Sequence, residues 1–305
     1  MIVCTQHRAS LLEQCLTSVA ALEHPRFEVI VVDNTSGDPA TRRVCLTFGA
    51  RYLTAPRRGL NRARNAGALA ADGELVCYAD DDSVVAPGWL CCHSTAFDTR
   101  DVAVTTGRIL PIGLGERGVR SHLLDLGDTP FQVGPETPGW FYRTNFGGVG
   151  FGGNMGFRRQ LFVDGFRFKE SIGPGTQLSC GRNLYVSGDE FYAFFSLVKA
   201  GHRIAYVPTA VVHHGEPDPS EQKAVEVLSA HRHGAYLAML WMEEPAFRGE
   251  TLRYAFDAMR RRPRPWRRAM PSLRRAGRAQ ILLAAAYGSL LYVWNRLCRA
   301  RCLDD

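Results

Sequence analysis

The 305-residue sequence has no Cys-x-x-Cys pair, no tandem repeat, no low-complexity tract and no basic leader running into a long apolar core. The first absence argues against a zinc ribbon or a redox dithiol, and the adjacent Cys91-Cys92-His93 does not have zinc-ligand spacing. Nine cysteines, an odd and scattered set, are expected as reduced thiols in a cytosolic protein rather than as a disulfide framework. Met1-Ile2-Val3-Cys4-Thr5 reads as the start of a buried strand, not as a targeting segment. No RNP motif, zinc finger or helix-turn-helix signature accompanies the basic residues, which argues against nucleic acid as a partner. A hydrophobic fraction of 46% with 22% charged residues excludes a disordered chain.

What is present begins with charge. The formal net charge is +7, and its placement is uneven. Residues 248–278 hold Arg260-Arg261-Arg262, Arg264, Arg267-Arg268, Arg274-Arg275 and Arg278, so the remainder is close to neutral. Along the first ninety residues strands and helices alternate. Strands are predicted at Ile2–Thr5, Phe27–Val32, Arg51–Leu53 and Glu74–Tyr78. Helices are predicted at Ser10–Leu22, with Ser10 as N-cap and Glu13 closing a capping box, and at Ala40–Phe48 and Gly59–Ala71. That order implies a doubly wound, mostly parallel α/β sheet of Rossmann-like type, which binds ligands at the carboxyl ends of its strands. Residues 100–185, rich in glycine, proline and aromatics, read as loops and short strands lining a site. A helix at Glu190–Ala200 ending at Gly201, strands at Arg203–Pro208 and Ala210–His214, and a helix at Glu221–Met242 follow.

Asp80-Asp81-Asp82 ends the predicted strand at Glu74–Tyr78. Three carboxylates at the end of an apolar segment repel one another, and a hard divalent cation such as Mn²⁺ or Mg²⁺ relieves the conflict. The alternative is a solvated acidic turn. Asp33 ends another strand, where on its own it would close an Asx-turn. The two groups would share one crevice.

Seven segments in order carry a resemblance: Val3–Arg8, Glu28–Ser36, Gly59–Gly67, Asp80–Asp82, Gly153–Arg159, Gly188-Asp189-Glu190 and Val207–His214. Together they resemble glycosyltransferase family 2, the inverting enzymes of GT-A fold, over residues 2 to about 216. The resemblance implies a catalytic domain over 1–216, with a nucleotide-binding half at 1–95 and a sugar and acceptor half at 96–216. A helical, Arg-rich extension follows at 217–305. It further implies metal-dependent transfer of a sugar from a nucleoside diphosphate sugar, most readily UDP-linked, to a hydroxyl acceptor. Asp33, with Thr5 and Arg8, would border the base. Arg64 would reach phosphate or ribose. Asp82 would ligate the metal, with Asp80 near the ribose or the metal's water shell and His214 as a third ligand. Asp81 is expected to face solvent. The family's usual acid order is exchanged here, so Glu190 is the first candidate base and Asp189 the second. Trp140, Phe141, Asn154 and Met155 would shape the sugar and acceptor pocket, with core packing as the alternative for the aromatics.

Two other readings compete. Gly148-Val149-Gly150-Phe151-Gly152-Gly153 satisfies G-x-G-x-x-G, which in a strand-to-helix context would indicate an NAD-dependent oxidoreductase. A non-catalytic sugar- or nucleic-acid-binding protein is the second. The tail, with its arginines before the apolar Ala279–Leu297, is expected to rest on an anionic membrane surface as a peripheral, cytoplasmic-face element. The acceptor would then be lipid-linked or an envelope glycan. A helix packed on the domain or in a dimer is the alternative there.

Overall fold

The computed structural model describes residues 1–112, 125–176, 185–215, 222–259 and 278–301. The chain divides into two compact units, Met1–Glu170 with Glu190–Glu216, and Ser171–Asp189 with Pro217–Asp305.

The first unit opens with β1 (Ile2–Thr5), α1 (Ala9–Ala20), β2 (Ile30–Asp33), α2 (Pro39–Thr47), β3 (Arg51–Thr54), α3 (Leu60–Ala70) and β4 (Leu75–Asp80). The predicted alternation holds, with shifted ends. Ser10 is not the N-cap: α1 begins at Ala9, and Arg8 in the cap position makes no side-chain cap bond. His7 takes a positive φ of 55° and turns the chain early, so that the Arg8 carbonyl accepts the first helical hydrogen bond, from Leu12 N. A cap contributes about 1 kcal/mol, too little to hold the start against that turn. In α2 the local signal does win. Asp38 accepts from Ala40 N and Thr41 Oγ1, and Pro39 sits at the first helical position.

The unit continues with β5 (Ser83–Val85), α4 (Trp89–Ala96), β6 (Val102–Pro111), β7 (Phe131–Val133), α5 (Trp140–Asn145), β8 (Asn154–Arg158), α6 (Gln160–Val163), α7 (Asp189–Lys199), whose first residue is counted with the second unit, and β9 (Arg203–His214). β6 corrects the expectation of short strands and loops after residue 100. Its run of Val, Thr and Ala is buried on both faces, as a central strand requires. Similarly, Arg203–Pro208 and Ala210–His214 are one irregular strand, not two.

The sheet runs β3-β2-β1-β4-β8-β6-β9-β5, with β7 also on β9. β3, β2, β1 and β4 are parallel. β8 runs antiparallel between β4 and β6, β9 is parallel to β6, and β5 and β7 pair antiparallel with β9. Both faces are covered. Ile2, Val32, Tyr78, Phe157, Phe168 and Phe194 share one apolar cluster; Val3, Leu12, Leu16, Val31, Cys77 and Trp89 share the other. Six cysteines among the described residues are free thiols.

In the second unit, α8 (Gln222–Glu243), α9 (Arg248–Met259) and α10 (Arg278–Arg301) are helical. Ala230 packs with Ala284, Ser289 Oγ donates to Gly234 O, and Tyr292 OH donates to Glu243 Oε1 at 2.6 Å. These contacts advance together along both helices, so α8 and α10 run parallel. A Cβ on Gly234 or Gly288 would strike the facing backbone carbonyl, of Ala285 and His231 respectively, and close approach therefore needs glycine there. Most of the Arg cluster, Arg260 to Arg275, lies outside the described residues. No helix among the described residues is long and apolar enough to cross a membrane.

Candidate active site

Parallel register brings the strand ends together. Thr5 pairs with Asp33, and Cys4 with Asp80, so the carboxyl ends of β1, β2 and β4 lie side by side. Asp33 is wholly buried. Its Oδ2 accepts from Tyr52 OH at 2.6 Å and from Asp38 N at 2.7 Å, while Oδ1 has no partner. One oxygen thus closes the turn; the other is a buried acceptor still to be satisfied. Burial, together with Asp33, raises the Tyr52 phenol to about 12, which keeps it a donor. Sequence reasoning passed over Asn34. Its amide donates to Ala55 O and Arg57 O and accepts from Gly59 N, fixing the loop that leads into α3.

The acidic triplet is not arranged as expected. Asp81 does not face solvent: it is buried, with Thr5 Oγ1 donating to it at 2.6 Å and Arg8 Nη1 at 3.1 Å. Burial raises the Asp81 carboxyl despite these partners. Arg8 reaches Asp82 Oδ2 at 3.1 Å as well. Thr5 and Arg8 therefore brace the triplet from below. The two residues flanking Asp81 meet a third group, His214. Asp80, Asp82 and His214 offer ligand atoms all within 4.8 Å of one another. His214 Nε2 stands 3.0 Å from Asp82 Oδ1 and 3.9 Å from Asp80 Oδ2. Burial works against a charged imidazole, but the Asp82 and Asp80 carboxylates outweigh it and raise His214 to about 9. Asp82 is lowered in turn, its burial offset by His214 and Arg8. His214 Nδ1 lies 2.7 Å from Gly215 O, a bond that holds N–H on that nitrogen and turns Nε2 to the carboxylates, where it carries a proton toward Asp82 and would become a ligand on losing it. Two carboxylates and an imidazole so disposed fit a divalent transition ion such as Mn²⁺, and Mg²⁺ less readily.

Arg64, on α3, is buried. Its Nη1 lies 3.2 Å from Asn61 Oδ1, and its guanidinium lies over the Phe168 ring at 5.5 Å. Asn61 and Asn65 tie the Phe168–Glu170 segment to α3, which fixes that ring. At Gly152 a Cβ would come within 2.6 Å of Arg64 Nη2 and 3.3 Å of Glu190 Cβ, so Arg64 and Glu190 converge on Gly152. At Gly153 a Cβ would come within 2.5 Å of Asp80 Oδ2. Asp189, which opens α7, packs on Gly173, whose φ is +93°.

Asn154 does not line a ligand pocket. It is wholly buried, and its Oδ1 lies 2.9 Å from Trp89 Nε1 and 3.0 Å from His93 Nε2. Its Nδ2 donates to Arg108 O and Ala210 O, which leaves the amide without a free polar group. His93, the third member of Cys91-Cys92-His93, is committed to this network. Met155 belongs to the core, Phe141 is buried between Phe146 and Phe195, and Trp140 stacks on Phe195. Core packing accounts for these three. The G-x-G-x-x-G stretch also lacks the dinucleotide context, because it leads from helix α5 into strand β8 rather than from a strand into a helix.

The family model for glycosyl transferase family 2 matches residues 1–166. The chain belongs to this family. It is a glycosyltransferase of GT-A fold. The succinoglycan biosynthesis protein ExoM of Rhizobium meliloti is 30% identical over 266 residues, covering 77% of this chain and 74% of that protein. Among solved structures, the Pyrobaculum calidifontis mannosyltransferase PcManGT, in complex with GDP-Man and Mn²⁺, superposes with a TM-score of 0.55. The match is 17% identical and covers 98% of this chain and 74% of that one. TarS 1–349 of S. aureus in complex with UDP-GlcNAc gives 0.52 at 15% identity, covering 96% and 88%. At those identities the likeness is one of fold.

Proposed function

We propose that this family 2 glycosyltransferase is metal-dependent and inverting, and moves a sugar from a UDP-linked donor to a hydroxyl acceptor. The observation that carries the reading is the convergence of Asp80, Asp82 and His214 within 4.8 Å at the carboxyl ends of the strands. A divalent cation bound there supplies neutralisation of the charge that develops on the departing diphosphate. The protein's residues do the rest. The unpartnered Asp33 Oδ1 accepts an N–H of the uracil ring, and a buried acceptor of this kind rejects a ring lacking that donor. Arg64 offers its guanidinium to the anionic part of the donor or to the sugar. Glu190, beside Gly152, takes the acceptor's proton as the acceptor oxygen bonds to the anomeric carbon. The carbon–oxygen bond to the diphosphate breaks with its electron pair on the leaving oxygen, and the configuration inverts. Asp189, packed on Gly173, is the second candidate for that proton.

The tail supports a membrane-facing acceptor. Between Asp257 and Asp304 the sequence has twelve arginines and no acidic residue. On α10, Leu283 (71% exposed), Tyr287, Leu290 (68%) and Trp294 (65%) fall at i, i+4, i+7 and i+11, one helical stripe. A basic segment with an apolar, aromatic stripe suits the interface of an anionic bilayer. We read the enzyme as peripheral on the cytoplasmic face, with a lipid-linked or envelope-glycan acceptor. A screen of nucleoside diphosphate sugars by released nucleotide tests the catalytic reading. Release from a UDP-sugar with Mn²⁺ and none with excess chelator is expected; undiminished release with chelator contradicts it.

A further inference from the structure

β9 carries two adjacent histidines, and only His214 stands beside the carboxylates. Strand alternation alone would choose the other. Val207 packs on the apolar face that contains Val3 and Trp89, so with regular alternation residues 209, 211 and 213 would share that face. Ala210 and Val212 occupy it instead. The switch comes from an irregularity in the pairing with β6. Gly107 lies opposite Val207, but the next residue, Arg108, lies opposite Val211. β9 thus carries three extra residues, Pro208, Thr209 and Ala210. An odd insertion exchanges the faces of everything beyond it, including the His213-His214 pair. Past the bulge β9 also pairs with β5, setting His214 against Ser83, the neighbour of Asp82.

We propose that Asn154 is the positioning residue of the cation site, holding this bulge so that His214 and not His213 meets Asp80 and Asp82. The inference rests on the cation reading given above. The Asn154 Nδ2 donates to Arg108 O on β6 and to Ala210 O on β9, at 2.9 and 2.8 Å, one carbonyl on each side of the break. A side-chain amide thereby replaces ladder bonds that the extra residues remove. Its orientation is fixed from the other end. Trp89 Nε1 and His93 Nε2 donate to Oδ1, and His93 Nδ1 accepts from Thr105 Oγ1. A neutral imidazole suits that arrangement, and burial lowers His93 to about 4. Gly107 completes the fit, because a Cβ there would overlap both the Ala210 carbonyl and the Asn154 amide.

The test is titration with Mn²⁺ alone, read by electron paramagnetic resonance of the free ion, with thermal melting run beside it. Asn154→Ala should weaken Mn²⁺ binding about 10–100-fold, as loss of a residue that orients a metal ligand does. His214→Ala should weaken it at least as much, and His213→Ala should leave it unchanged. A merely structural Asn154 would lower the melting temperature and leave the affinity of the folded protein intact. Wild-type affinity in folded Asn154→Ala overturns the inference. Should that variant not fold, Trp89→Phe takes its place, with a loss of a few fold expected and none overturning the inference. A loss in His213→Ala overturns it too. If His214→Ala itself binds Mn²⁺ as the wild type does, the cation reading has failed, which is a different result.

Discussion

The two halves of the sheet deliver side chains to the same crevice by different means. In β1, β2 and β4 regular parallel pairing suffices. Thr5 is opposite Asp33 and Cys4 opposite Asp80, and each polar group sits where an ordinary strand ends. In β6, β8 and β9 regular pairing would present the wrong histidine, and a bulge fastened by a buried amide changes the face. The first arrangement tolerates variation in its strands as long as register holds. The second depends on a few buried polar contacts, each costly to leave unmade.

The largest effect is expected at the carboxylates: Asp82→Ala should abolish metal-stimulated turnover while far-ultraviolet circular dichroism stays unchanged. Turnover that still responds to Mn²⁺ removes Asp82 from the site. Next, Glu190→Gln should slow the chemical step by about 10²–10⁴ with little change in donor affinity. Single-turnover kinetics decide this, and the same loss in Asp189→Asn alone would transfer the role of base to Asp189. Asp33→Asn should weaken UDP binding by about tenfold, the value of one hydrogen bond to a charged group, as measured by calorimetry. Equal affinity would leave Asp33 as a turn residue only.

The second half of the sheet should show its dependence on buried groups as a pH effect. His93 is held neutral with a pKa of about 4 against 6.5 unperturbed. Its folded value is depressed, so the stability linked to it is complete above about pH 6.5 and is lost as pH falls toward 4. His93→Phe should flatten the fall in melting temperature over that window, and an unchanged slope would place the acid sensitivity elsewhere. The smallest effect is expected on α10. Replacing Leu283, Leu290 and Trp294 with Ser should reduce flotation with anionic liposomes and leave soluble-substrate turnover alone. Flotation equal to wild type argues against the stripe as the membrane contact.

Much of the first half was legible from sequence because the signals are local. An apolar run ending in Asp33, or in Asp80 to Asp82, marks a strand end and a cluster of carboxylates in one segment. The position of His214 beside Asp80 and Asp82 was legible from its place in an ordered set of motifs. Asp81 was misread because its partners, Thr5 and Arg8, lie more than seventy residues away. Asn154 was assigned to a pocket for the same reason: all four of its contacts come from distant segments. β6 was missed because it opens the stretch after residue 100 that frequent glycine, proline and aromatic residues made look irregular. In the fold Thr105 and Thr106 pair with β8 in the middle of the sheet, and Gly107 makes room for the bulge. Ser10 shows the reverse error, a sound local cap signal overridden by a turn one step earlier.

On this reading, strand-end carboxylates and an imidazole delivered by the bulge hold one divalent cation. The most direct test is electron–nuclear double resonance of Mn²⁺ bound to protein labelled with ¹⁵N-histidine. A single nitrogen coupling is predicted in the wild type, retained in His213→Ala and lost in His214→Ala. Bound Mn²⁺ with no nitrogen coupling, or with a coupling that survives in His214→Ala, would contradict the account.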